Sequence, residues 1–322
     1  MTPPRPLRAV TALAFACLAL AAQSQPASAA DFSARLDALW DFDRPALSEV
    51  RFRAMLAKLP PRSSNAYETA TQVARTQGLQ RQFAAADSTL DGVARALDRV
   101  PARVRVRYLL ERGRVRNSSG AADAAVPLFH AALVASASDA ETGAAFYRID
   151  ALHMLGIAAP PAERLDWNLQ ALAAADAATD PRARRWRASL LNNLGWTYHD
   201  RGDFATALAC WEKALAAREE TGDASTIRFA RWAVARGLRS LDRLDEAEAI
   251  QRTLAREAEA AGAPDGDVYE ELAEIALARH DAAAAKVWAG KAYAQLKDDA
   301  GVQASEPERL ARLARVAGGG AP

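Results

Sequence analysis

The chain has 322 residues, 41 Lys+Arg against 40 Asp+Glu, and two cysteines. The length admits two or three ordinary domains or one long repeat array; the near-zero net charge excludes a dedicated nucleic-acid binder, whose affinity rests on neutralising phosphates. Roughly a quarter of the residues are Ala and only 7% are aromatic, which excludes a core built of large side chains and predicts an all-α protein, because Ala is the best helix former and lets helices approach closely.

Residues 1–30 read as a secretory signal peptide. Arg5 and Arg8 stand in an acid-free start, Ala9 to Ala22 is an apolar run, and Ala27-Ser28-Ala29-Ala30 supplies small residues for cleavage after Ala29 or Ala30. The run falls short of the roughly 20 residues that span a bilayer. A lipoprotein with Cys17 as the modified residue fits poorly, because Ala14-Phe15-Ala16 is not a Leu-small-small pattern and Cys17 lies inside the run. The expected location is therefore periplasmic or secreted. The mature chain keeps only Cys210, so no internal disulfide is expected and stability must come from packing.

Residues 31–66 read as N-terminal capping helices, broken at Pro45 and at Pro60-Pro61. From 67 to 300 a repeat array is expected. Its first unit has Val73 and Ala74, then Phe83, Ala86 and Leu90. The second has Gly113, then Gly120, Ala125, Phe129 and Ala132. A degenerate third has Ala151, Leu152 and Leu155, then Pro160-Pro161, Trp167 and Ala171. The clearest runs from Ala188 to Thr221, with Leu194, Gly195 and Tyr198 on one helix, Gly202-Asp203 as a break, and Ala207, Trp211 and Ala214 on the next. Val234, Ala235 and Leu238 precede Leu244, Ala247 and Leu254 in the fifth, and Leu272, Ala273 and Ala276 precede Ala285 and Ala292 in the sixth. A helix over Ser305–Val316, N-capped by Ser305, and a tail from Gly318 close the chain.

The unit at 188–221 resembles the tetratricopeptide repeat, in which L-G-x-x-Y, a turn and A-x-x-x-F-x-x-A recur within about 34 residues. The resemblance implies an α-solenoid, a right-handed superhelix of about six helical hairpins, whose first helices line a concave face. Gly195 and Ala207 are expected where the helices of a hairpin cross, and Tyr198 and Trp211 in the wedge to the next hairpin. The same crossing position is expected at Ala74, Ala86, Ala125, Ala235, Ala247, Ala273 and Ala285.

Residues offset from the packing stripe of each first helix are the candidate ligand contacts. They are Asn192, Trp196 and His199, flanked by Asn193 and Asp200; Trp232, Arg236 and Arg239; Glu270 and Glu274, with Glu271 beside them; and, upstream, His153 with Asp150, then Leu110, Arg114 and Asn117, then Thr71 and Arg75. Trp and Arg suit an interface, and such a groove takes an extended peptide or a partner's helix. A purely structural role is as consistent: Trp196 and Trp232 packing on each other's hairpins, Arg236 and Arg239 pairing with Glu270 and Glu274. A carboxylate clamp from Asn193 and Arg236 lacks its Lys and faces the acids at Glu270.

His130, His153, His199 and His280 show no metal-ligand spacing, and no nucleophile or nucleotide motif occurs, so neither metal nor cofactor is expected. The favoured function is a non-catalytic scaffold binding a protein or peptide of the cell envelope. Its rivals are a glycan or peptidoglycan-fragment binder, with Trp196 and Trp232 stacking on sugars, and a hydrolase using His153 or His199.

Overall fold

The computed structural model describes residues 29–137, 144–220 and 222–320, so residues 1–28 of the predicted signal peptide lie outside it. Two helices, α1 (Ala29–Asp37) and α2 (Pro45–Leu56), precede six hairpins. These pair α3 (Ser64–Leu79) with α4 (Phe83–Ala94), α5 (Ala102–Ser118) with α6 (Ala122–Ser136), and α7 (Ala144–Ala158) with α8 (Pro161–Ala177). After the single turn α9 (Pro181–Arg184), α10 (Trp186–Asp200) pairs with α11 (Phe204–Glu219), α12 (Ala224–Ser240) with α13 (Leu244–Ala260), and α14 (Gly266–Ala278) with α15 (Ala282–Leu296). Two more, α16 (Ala300–Ser305) and α17 (Pro307–Ala317), end the array, and there is no strand among the described residues.

The helices start and stop where local chemistry requires. Asp203, Asp223, Asp265 and Asp281 each accept backbone N–H groups at the start of α11, α12, α14 and α15, satisfying donors that have no partner inside the helix. Inside five of the hairpins one residue adopts a positive φ: Arg81, Gly120, Gly202, Asp242 and His280. The next residue then donates its N–H to a carbonyl five positions back, as Asp203 does to Tyr198 and Asp281 to Ala276. This is the left-handed helix stop that glycine adopts without steric cost. His280 thus fills the turn position expected of it. The degenerate third hairpin turns instead through Ala159-Pro160, with Pro161 starting α8. Pro45 likewise opens α2 rather than breaking a helix.

Small residues hold the hairpins together. Ala74, Ala86, Ala125, Ala207, Ala235, Ala247, Ala273 and Ala285 are all at most 1% exposed. Three first helices place a glycine against a large side chain of the second. Gly113 faces Phe129, Gly156 faces Asn168 and Gly195 faces Trp211, and a Cβ at Gly195 would stand 2.5 Å from Cδ1 of the indole. Trp211 is fully buried and also abuts Gly237 of the following hairpin. It therefore fills the expected wedge, with Tyr198 half-buried at its edge.

Successive first helices touch, α3 with α5, α5 with α7 and α12 with α14, while successive second helices make no comparable contact. The stack therefore closes toward its first helices, which form the inner face. At the end of the array the expectation for Ser305 needs correction. Ser305 is the last residue of α16, its hydroxyl donating to the Gly301 carbonyl, because Asp299 caps α16 and Pro307 opens α17.

Candidate binding groove

All the candidate residues lie on first helices, but they fall into two regions. Asn192, Asn193, Trp196 and His199 stand on α10, Trp232, Arg236 and Arg239 on α12, and Glu270 and Glu274 on α14; Trp196, Trp232, Arg236, Arg239, Glu270 and Glu274 line one cavity, whereas Asn192, Asn193 and His199 do not reach it. His153 on α7 belongs to the other end of the groove.

In the first region the aromatic rings form a file. Phe229 stacks on Trp232 at 5.9 Å, Trp232 lies 6.1 Å from Trp196, and Trp196 meets Trp211 edge-on at 5.0 Å. The Arg236 guanidinium sits 5.3 Å from the Trp196 ring centre and 5.8 Å from that of Trp232. Both indoles remain half-exposed, so they pack on each other and still present a face to the groove. A cavity of about 300 Å³ opens beside Trp196, Phe229, Trp232 and Arg228. A second, of about 440 Å³, runs along Arg236, Arg239 and the acids of α14.

The ion pairs differ from the expected ones by one residue. Arg236 and Arg239 do not pair with Glu270 and Glu274. Both donate to Glu271, at 2.7 and 2.8 Å, and that carboxylate is only 1% exposed. Glu270 and Glu274 are instead held by Arg309 and Arg312 of α17, with Arg309 Nε donating to Glu270 at 2.6 Å and Arg312 also pairing with Glu274. The rotation of α14 about its axis turns Glu271 toward α12 and leaves Glu270 and Glu274 facing the last helix. The acids that seemed free to repel a carboxylate are therefore neutralised.

Asn192 uses its backbone carbonyl to accept the Trp211 indole N–H at 3.2 Å. The amide nitrogen of Asn193 is buried and has no hydrogen-bond partner. His199 shares a hydrogen bond with Ser240 at 2.9 Å and is ringed by Trp196, Phe204 and Trp211. Burial, with Arg236 beside it, lowers its pKa. His153 keeps different company. It leans on Trp186 at 4.9 Å, and burial, joined by Arg114 and Arg75 against the opposing pull of Asp150, lowers it to about 4. Burial opposes ionisation of Asp150, but Arg114 and Arg75 outweigh it and hold the carboxyl below the usual range. The two histidines thus have separate partners rather than forming a pair. Cys210 is half-buried, and burial raises its thiol pKa, the opposite of an activated nucleophile. No cluster of metal-ligating side chains occurs among the described residues.

Phe229, Arg309 and Arg312 were missed in the sequence. Phe229 precedes Trp232 by three and so shares its helix face, a legible signal. The two arginines carry none, because α17 reaches the groove only through the turn of the whole array.

A groove walled by the first helices of stacked hairpins, with aromatic and ionic side chains along it, defines a helical-repeat solenoid. Residues 187–221 match the family model described as a tetratricopeptide repeat. Among solved structures, the apo form of RapI is similar with a TM-score of 0.64 at 8% identity, over 89% of this chain and 79% of that one. NprR in complex with its cognate peptide NprX gives 0.51 at 14% identity, over 90% and 84%. A tetratricopeptide repeat protein from Parabacteroides merdae ATCC 43184 gives 0.51 at 15%, over 88% and 98%. No curated protein matches. Residues 187–221 are thus a tetratricopeptide repeat by direct match, and the same helical-hairpin fold extends from it on both sides.

Proposed function

We propose that this protein is an exported, non-catalytic interaction scaffold that binds a peptide or a partner-protein segment of the cell envelope between α10, α12, α14 and α17. The observation that carries the reading is the file of Phe229, Trp232 and Trp196 with Arg236 lying over two of the rings, bordered by two cavities. Such a surface offers an apolar anchor and a cation in one place, the composition of an interface hot spot. The similar NprR fold carries its cognate peptide. Export is supported by the pattern of residues 1–30, and no described helix is long and apolar enough to cross a membrane.

Crosslinking in the native envelope, followed by identification of the captured species, tests the reading. Trp196→Ala with Arg236→Ala should abolish capture while leaving helicity intact. Persistent capture by that variant overturns the assignment of the groove. Quenching of Trp fluorescence by muropeptides, but by no protein or peptide, would transfer the site to a glycan. Turnover lost on His199→Ala would make the protein a hydrolase.

A further inference from the structure

The other end of the inner face is already occupied, by the chain itself. Phe32 and Leu36 of α1 are buried against Phe52 and Val73, and Ser33 donates to the buried Glu68 at 2.8 Å, which is what a capping helix requires. The six residues that follow go further than a cap. Asp37 pairs with Arg107 of α5 at 3.4 Å and with Arg182 of the single turn α9 at 2.5 Å, side chains 75 residues apart in sequence. Trp40 donates its indole N–H to Gln72 of α3 at 3.1 Å and stacks flat on Phe42 at 4.7 Å. The Arg75 guanidinium lies 5.5 and 5.6 Å from these two ring centres. Asp37 thus bridges an arginine of the first helix α5 and one of the turn α9, and the aromatic pair lies under a third, Arg75 of α3.

The contact is shallow. Asp37 is 36% exposed at its side chain and Phe42 is 60% exposed, so these residues contribute recognition chemistry rather than core. The host surface also holds more than the segment uses. Arg75 Nε, Arg182 Nη2 and Trp186 Nε1 are buried donors with no partner, and all three residues line a cavity of about 360 Å³ beside the segment. A buried donor without a partner calls for an explanation, and a carboxylate or carbonyl entering the adjacent cavity supplies one.

We infer that this half of the groove is a second binding site, for an acidic peptide that turns so that an aromatic residue three positions after a carboxylate lies beside it, and that residues 37–42, Asp-Ala-Leu-Trp-Asp-Phe, sit in it as a tethered occupant, with the Trp40 N–H donating to the Asp37 carbonyl at 3.2 Å. The ligand chemistry is read from the occupant: one carboxylate between Arg107 and Arg182, one indole toward Gln72, one ring under Arg75. A tethered occupant has an effective concentration in the millimolar range, so a free peptide whose intrinsic Kd is about 10 μM is weakened roughly 100-fold. The site is separate from the Trp232–Arg236 groove, and neither reading depends on the other.

The test uses a fluorescein-labelled synthetic peptide of residues 31–43 and the otherwise intact chain. Asp37→Ala with Trp40→Phe removes the ion pairs and the indole N–H while keeping a ring against Phe52, so Phe32, Leu36 and Phe52 still hold the cap. That variant should bind the peptide at least tenfold more tightly than the unaltered chain, and adding Arg182→Ala should cost at least tenfold again. Trp232→Ala with Arg236→Ala should leave this binding unchanged while removing the partner of the other groove. If the double variant does not fold, hydrogen exchange on the unaltered chain serves instead. Excess peptide should then speed exchange of amides 38–42. Equal affinity for the unaltered and Asp37/Trp40 chains, absence of binding to both, or exchange at 38–42 indifferent to peptide would overturn the inference and leave the segment a structural cap.

Discussion

Trp211 takes up the space that any side chain at Gly195 would need: its ring carbon Cδ1 stands 2.5 Å from where a Cβ would be, and its N–H is anchored on the Asn192 carbonyl. Neither helix can shift to make room, because Trp211 is also backed by Gly237 of the next hairpin. Gly195→Ala is therefore expected to destabilise the fold by about 1–3 kcal/mol, the cost of overpacking a filled core. Urea unfolding followed by Trp fluorescence measures it. A midpoint equal to that of the parent would mean that the indole repacks freely.

Glu271 carries a second structural risk. Its buried carboxylate is the shared acceptor of Arg236 and Arg239. Glu271→Gln keeps the shape and removes the charge, and should cost about 2 kcal/mol, the range for hydrogen bonds to charged groups. It should also loosen Arg236 over the two indoles and so alter Trp emission. Glu270→Gln, whose partners are on α17, should leave that emission unchanged.

His153 sets a pH dependence. The unfolded chain takes up its proton through pH 6.5, whereas the folded chain does so only near 4. Between these values the unfolded state binds more protons, so the contribution of His153 is fully present above pH 6.5 and falls as the pH drops toward 4. Asp150, held below its ordinary value, extends the loss to lower pH. In a His153→Gln variant the slope of stability against pH between 6.5 and 4 should be shallower by up to one proton, read from urea titrations at several pH values.

The left-handed turn positions predict opposite outcomes for opposite substitutions. Gly202→Ala forces a Cβ into a positive-φ turn and should cost about 1 kcal/mol. His280→Gly relieves the same strain and should be neutral to mildly stabilising, because the gain is offset by the freedom glycine adds to the unfolded chain. Thermal unfolding of the pair separates them; a gain from Gly202→Ala would show that the turn has changed type.

Much of the fold was legible because its rules are local. Small residues at crossing positions and turn residues at fixed offsets act within one hairpin, so the register of Gly195, Ala207 and Trp211 could be carried to five other units, whereas the one cap predicted, at Ser305, fell on a helix end because Asp299 caps α16. Groove-facing positions were legible to within one residue. Choosing between Glu271 and Glu270 depends on about 100° of rotation of α14, which its neighbours set. The contacts of Asp37 with Arg182, and of Arg309 with Glu270, were not legible. They join residues far apart in sequence through polar groups, and such pairs leave no periodic trace.

The last helix has a bearing on the charge of the groove. Two of the four arginines along the larger cavity, Arg309 and Arg312, come from α17, against the acids Asp267, Glu270, Glu271, Glu274 and Glu306. Exchanging or clipping that one terminal helix would turn a nearly balanced wall strongly acidic without touching a repeat. Leu313 and Val316 of the same helix are buried against the last hairpin, so one face of α17 is fixed by stacking while the arginines on its other face set the charge of the groove.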